Sequence, residues 1–327
     1  MCQPIGVSAE SSAPPVCVLG LGLIGGSVLR AASATGRTAW GWNRSPESAA
    51  QARADGFDAG TDLRAALDRA RESNAVVVVA VPEPALDSVL TQIAEHAPDC
   101  TLTDVVSVKG AVLAAVRRHG LAGGFVGGHP MAGTAQSGWP AGDADLFRGA
   151  VWVVAAEDDT DPDAWMRVAR LALDCGSVVV PAGADEHDSA VARISHLPHL
   201  LAEALAVTAA AGGDLSLALA AGSYRDGTRV AGTAPALVRA MCEANAQALT
   251  VALDEALALL TDARRALHDT GSTEILVDAG HAARTRYDTL DRWEITDTAI
   301  GESGWASALR DAGRRGGVIR AVPAARP

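Results

Sequence analysis

The segment Gly20-Leu21-Gly22-Leu23-Ile24-Gly25-Gly26 follows the apolar run Val16 to Leu19 and opens an amphipathic stretch. Strand, glycine-rich turn and helix in that order make a cradle for a pyrophosphate. The first two glycines permit the tight turn and a close backbone approach, and the helix N-terminus offers free N–H groups with partial positive charge. Gly20, Gly22, Leu23, Ile24 and Gly25 are therefore expected to hold a dinucleotide, with Val81 at the end of a later apolar run. Such a unit near the start commits the neighbouring chain to alternating strands and helices, hence to a mostly parallel sheet covered on both faces.

The chain keeps to that pattern. Strands are predicted at Val16 to Leu19, Thr38 to Trp42, Ala75 to Val81, Thr101 to Thr103, Val151 to Ala155 and Ser177 to Val180, with helices between most of them, such as Ile24 to Ala34, Pro84 to His96 and Ala164 to Leu173. From about Asp185 the character changes. Glu186 to Ala211 and Pro235 to His268 are Ala/Leu-rich and contain no strand-like run, which predicts a helical second domain. Its apolar faces exceed what one small core can bury, so some are expected to be shared with a second subunit. The expected division is a flexible arm over 1–14, a dinucleotide-binding domain over 15–182, a helical domain for substrate and dimerisation over 183–295, and a tail over 296–327.

Composition narrows the partners. With 49% apolar and 20% charged residues among 327, the chain is of the globular class, and its net charge of −12 leaves no general phosphate-neutralising surface for a nucleic acid. No stretch reaches the roughly 18 uninterrupted apolar residues of a membrane span, so no membrane partner is expected. Five scattered cysteines without C-x-x-C spacing argue against a zinc cluster or disulfide framework and fit a reducing cytoplasm. Of the 27 basic residues only Lys109 is a lysine. Codon preference accounts for many arginines; a lone ammonium among them points to a position where a planar fork does not fit.

The nucleotide is read where the second strand ends, at Trp42-Asn43-Arg44-Ser45. No acid stands there to accept from ribose hydroxyls, whereas Arg44, with Asn43 and Ser45 beside it, suits a 2′-phosphate; this favours NADP, with NAD as the alternative. Two further segments, Thr103-Asp104-Val105-Val106-Ser107-Val108-Lys109-Gly110 and Gly127-Gly128-His129-Pro130-Met131-Ala132-Gly133-Thr134, follow predicted strands at the carboxyl edge of the sheet, the usual ligand crevice. His129 lies on a stretch too glycine-rich for a core element and is read as a positioned acid–base group. Ser107 is read as a hydrogen-bond partner of the substrate hydroxyl or as the N-cap of a helix starting near Lys109, two compatible roles. In the helical half, Ser195-His196-Leu197-Pro198-His199 has no carboxylate spaced for zinc, so no metal is assigned, and the Arg229 guanidinium can grip a carboxylate through two hydrogen bonds.

Taken together, the glycine motif, Asp104-x-x-Ser107-Val-Lys109-Gly110, His129-Pro-Met-Ala-Gly-Thr134, Ser195-His-Leu-Pro-His199 and Thr228-Arg229-Val-Ala resemble the prephenate/arogenate dehydrogenases of tyrosine biosynthesis, in the order found in that family, over roughly residues 16–290. The resemblance implies an α/β fold: an N-terminal Rossmann-like dinucleotide-binding domain followed by an all-helical C-terminal dimerisation domain, with the active site between them and a homodimer as the assembly. It implies His129 as the catalytic hydrogen-bond acceptor with Ser107 beside it, Arg229 as carboxylate anchor, and Ser195 and His199 lining the pocket; Lys109 and Thr134 complete the expected substrate-binding set. It further implies oxidative decarboxylation of prephenate to 4-hydroxyphenylpyruvate with NAD(P), arogenate or both substrates being the alternatives. Ala135 and Gln136 after Thr134, and Leu237 and Val238 after Pro235, depart from residues found in some members and leave that choice open. Two other readings stand beside this one: a Rossmann-plus-helical hydroxyacid dehydrogenase or imine reductase, which shares the glycine motif and for which Lys109 suits an acid–base role, and a non-catalytic dinucleotide sensor or scaffold.

Overall fold

The computed structural model describes residues 13–134 and 136–321. Strands β1 (Val16–Leu19), β2 (Ala39–Trp42), β3 (Ala59–Gly60), β4 (Val76–Val79), β5 (Thr101–Asp104) and β6 (Phe125–Val126) form one sheet in the order β3-β2-β1-β4-β5-β6, every pair parallel. Helices α1 (Leu23–Ala34), α2 (Pro46–Ala54), α3 (Leu63–Glu72), α4 (Glu83–His96) and α5 (Lys109–Arg118) make the crossovers. The four valines of β4 are buried on both faces, as a central parallel strand requires. Local chemistry sets the helix starts: Ser45 caps α2 and Asp62 caps α3 through their side-chain oxygens, and Pro46 occupies the first turn of α2. Strand order reverses between β1 and β4, so the crevice at their carboxyl ends is the place for a ligand. Of the expected arm, only its last residues are described; there the Pro14 carbonyl accepts from Arg37.

A second sheet adjoins the first. β7 (Gly128–Pro130) pairs antiparallel with β8 (Val151–Ala155), which pairs parallel with β9 (Val178–Ala182) after helix α6 (Pro162–Asp174). The His129 stretch, expected to be no core element, is thus an edge strand. Gly128 is required there, because a Cβ would stand 2.7 Å from the Asp104 carbonyl oxygen, and Pro130 is tolerated because β7 is an edge.

The helical half comprises α7 (Ala184–Val191), a π-helical turn at Ala192–His196, α8 (Leu197–Ala211), α9 (Gly213–Ala218), α10 (Gly222–Thr228), a 3₁₀ turn at Arg229–Gly232, α11 (Pro235–Ala244), α12 (Ala246–Thr270) and α13 (Glu274–Asp288). The stretch expected as helical from Pro235 to His268 is broken at Asn245, whose buried amide hydrogen-bonds elsewhere. Within one chain α12 buries only Leu249 and Ala252, and α13 buries nothing; Leu260, Leu267 and Ile275 stand exposed. The continuous run Ala184–Ala211 is long and apolar enough to cross a membrane by length and composition. Its buried side, however, carries the polar residues His187, Asp188 and His196, which hydrogen-bond to other elements of the protein.

Residues after the helical half return to the first. β10 (Trp293–Glu294) pairs with β11 (Gly317–Val318), Ile319 bridges to Val179 of β9, and α14 (Trp305–Arg314) lies on β9. Trp305, Ala306, Leu309 and Ala312 are buried in the same core as Trp165 of α6. Gly313 is a close-approach position, since a Cβ there would meet the Pro181 carbonyl oxygen at 2.0 Å.

Candidate active site

At the end of β1 the chain turns through Gly20, whose φ of +108° excludes most side chains, and a Cβ there would also strike the Ala80 carbonyl at 2.5 Å. A Cβ on Gly25 would fall 1.9 Å from the Gly20 carbonyl, so α1 packs closely against the turn. Gly22 differs: it is the N-cap residue of α1, no side chain caps the helix, and a Cβ built on it meets nothing within 4 Å. Free N–H groups facing open space fit a pyrophosphate. Beyond β2, Arg44 is exposed and makes no ion pair among the described residues, while the Ser45 hydroxyl accepts from the Ser48 N–H at 3.3 Å to cap α2.

At the neighbouring strand ends a buried polar network joins the two halves. The Lys109 ammonium, 1% exposed, donates to Asp104 and to the Gly128 carbonyl at 2.7 Å. Asp104 also accepts from the N–H groups of Gly128 at 3.1 Å and Val106 at 3.0 Å. Burial lowers the Lys109 pKa, opposed by Asp104 and Asp188. Expected in the substrate set, Lys109 instead lies behind β7 and braces the backbone on which His129 sits. Ser107, offered as a possible N-cap, is not one: Val108 holds that position without a side-chain bond. The cap comes from the other half, where the Asp188 carboxylate accepts from the N–H groups of Lys109 and Gly110, each at 2.8 Å.

Asp188 also orders the histidines. Burial pushes its carboxyl up, but the His187 ring and the two α5 N–H groups outweigh this and leave it below the ordinary carboxylate range. An ionised carboxylate only accepts. The His187 Nδ1, 2.8 Å from Asp188 Oδ1, therefore carries a proton, and neutral His187 presents Nε2 as an acceptor. That Nε2 lies 2.8 Å from His129 Nδ1, so His129 donates there and its own Nε2 keeps a lone pair. Burial, His187, Lys109 and His196 hold the His129 pKa well below 6.5, so the ring stays neutral at neutral pH. On the far side, the Asn245 amide donates to the Asp188 backbone carbonyl at 2.8 Å and to His196 Nδ1 at 3.1 Å. His196 is thereby fixed with its proton on Nε2, a buried nitrogen without a partner among the described residues; burial chiefly lowers its pKa to about 4. His199 Nδ1 is likewise buried and unpartnered among the described residues.

Residues 26–181 match the family described as prephenate dehydrogenase, nucleotide-binding domain, and residues 183–279 match prephenate dehydrogenase, dimerization domain. The cyclohexadienyl dehydrogenase of Zymomonas mobilis is 30% identical over 259 residues, 77% of this chain and 88% of that protein. The chain belongs to the prephenate dehydrogenase family. The prephenate dehydrogenase of Bacillus subtilis is 31% identical over 68% of this chain, which spans only 62% of that relative's length. Among solved structures, a Corynebacterium glutamicum protein provisionally named a prephenate dehydrogenase superposes with a TM-score of 0.90 at 48% identity, covering 94% of this chain and 98% of its own. A prephenate dehydrogenase from A. aeolicus, solved with hydroxyphenyl propionate and NAD+, superposes at 0.76 with 25% identity, covering 86% of this chain and all of its own.

Within this family member the structure joins His129 and Lys109 to the Ser195–His199 segment through Asp188 and Asn245. Ser195 Oγ lies 3.9 Å from the Met241 sulfur. Among the described residues, half-buried Ser107 makes no side-chain hydrogen bond, exposed Thr134 bonds only to Gln136, and exposed Arg229 is unpaired. His187, Asp188 and Asn245 escape sequence reasoning, although Glu186-His187-Asp188 inside an otherwise apolar helical run is a visible signal.

Proposed function

We propose that the chain catalyses the oxidative decarboxylation of prephenate, a cyclohexadienol bearing a ring carboxylate, to 4-hydroxyphenylpyruvate, as a homodimer built through its helical half. The observation that carries this reading is the free lone pair on His129 Nε2, held by a hydrogen-bond chain at the carboxyl edge of a sheet whose first turn fits a pyrophosphate. A bound nicotinamide dinucleotide supplies the hydride acceptor. His129 takes the hydroxyl proton as the carbinol carbon is oxidised, Arg229 grips a substrate carboxylate, and Ser107 and Thr134 complete the polar lining. The His196 N–H and the His199 Nδ1 are buried without partners among the described residues, and a substrate group reaching them would satisfy both. Loss of carbon dioxide then aromatises the ring. The exposed Arg44, with no acid beside it, supports NADP as the better cofactor, bound along Gly20, Gly22 and Gly25 and flanked by Asn43, Ser45 and Val81.

Steady-state turnover with prephenate and with arogenate, each with NAD+ and NADP+, tests all of this. Turnover of prephenate and a higher kcat/KM with NADP+ is expected; turnover of arogenate alone would move the substrate assignment. Cofactor binding without turnover of either would overturn the catalytic reading. Replacing Arg229 by Ala should raise KM about 10- to 100-fold, the worth of a charge-assisted hydrogen bond, with kcat little changed. An unchanged KM would place the anchor elsewhere.

A further inference from the structure

His129 is a poor place to leave a proton. It is desolvated, and it faces His187 of α7, His196 of the π turn and the Lys109 ammonium of α5, itself held by Asp104. His187 is placed differently, because its Nδ1 already touches an ionised carboxylate at 2.8 Å, and a second proton on this ring would complete an ion pair.

We propose that His187 receives the proton that His129 takes from the substrate, so that the reaction's proton comes to rest beside Asp188. The step balances without an added co-reactant. The substrate O–H bond breaks and its proton bonds to His129 Nε2; the His129 Nδ1–H bond breaks and that proton bonds to His187 Nε2. His129 ends neutral with its proton on the other nitrogen, and His187 ends as an imidazolium between His129 and Asp188. Hydride departure from the carbinol carbon balances the charge on the substrate. His187 is thus a positioning and proton-holding residue that touches neither substrate nor cofactor, and Asp188 sets the direction of transfer by holding the first proton on His187 Nδ1.

The inference rests on His129 as the base, and two substitutions at the next ring separate it from that reading. His187→Gln places an amide oxygen where Nε2 lies, so it keeps the His129 tautomer but cannot take a proton. His187→Leu removes both functions. Both are expected to lower kcat tenfold or more, within threefold of one another, with KM for substrate and NADP+ within twofold of wild type. Recovery of kcat by His187→Gln would overturn the relay and leave His187 a mere orienting group. His129→Asn, measured in parallel, reports the base itself: if it retains kcat, the base reading fails, whereas its loss beside an active His187→Leu sinks only the relay.

Nitrogen-15 NMR of histidine-labelled protein without cofactor adds a readout independent of activity. His129 should be protonated at Nδ1 in wild type and in His187→Gln. Asp188→Ala, which removes the acceptor of the His187 Nδ1–H, should free the His187 tautomer and leave His129 protonated partly at Nε2. A His129 already protonated at Nε2 in wild type would overturn the proposal, whichever variants fold.

Discussion

Under β7 the space accepts a compact ammonium and little more. A Cβ placed on Gly127 would stand 3.3 Å from Lys109 Cδ, and the Lys109 head is already shared between Asp104 and the Gly128 carbonyl. A guanidinium has to push β7 outward, so Lys109→Arg should destabilise the fold by about 1–3 kcal/mol, seen as a lower urea midpoint. An unchanged midpoint would make the single lysine a matter of codons after all. The sequence makes this residue conspicuous by count but not by role: a ligand and a brace leave the same trace. The histidines bring a pH dependence with a definite sign. His196 has a folded pKa of about 4 against an unfolded value of 6.5, and His129 is lowered too. Between those limits the unfolded chain binds more protons, so stability present above pH 6.5 is lost as pH falls toward 4. The urea midpoint should drop over that window, and His196→Gln should flatten the slope by up to one proton; a slope unaltered by the substitution would show that His196 titrates normally.

Elements whose chemistry is local are legible in the sequence. The turn at Gly20–Gly25, the caps at Ser45 and Asp62 and the buried valines of β4 each follow from neighbouring residues. Elements set by distant partners are not. β7 reads as a loop because Gly128 and Pro130 disfavour strands, yet the same glycine is demanded by Asp104, 24 positions earlier. α5 lacks a capping residue of its own because Asp188, 79 positions after Lys109, supplies the acceptor. The π turn at Ala192–His196 carries no special composition, and Asn245 looks like any polar residue between two helices. α14 reads as tail, although Trp305, Ala306, Leu309 and Ala312 recur at helical spacing. Leu309 is fully buried there, so Leu309→Ala should cost about 2–5 kcal/mol, whereas an element of no structural importance would lose nothing in the unfolding midpoint.

At the scale of the whole molecule the helical half is unfinished as a single chain. Leu260, Leu267 and Ile275 stand at least half exposed along α12 and α13, on a domain whose family is described by its dimerization. Light scattering at micromolar concentration is expected to give twice the chain mass, and Leu267→Asp combined with Ile275→Asp to shift the mass toward one; a wild-type monomer would remove the dimer. The return of β11 and α14 to β9 has a mechanical side. The helical half leaves β9 at Ala182 and comes back at Trp293 in β10, which pairs with β11, and Ile319 just beyond β11 bridges to β9. It hangs from the nucleotide half on two cords rather than one. A body tied at two adjacent points, and pinned besides by the bonds from Asp188 to α5 and from His187 to His129, cannot swivel freely or be traded with a neighbouring copy unless both cords come loose.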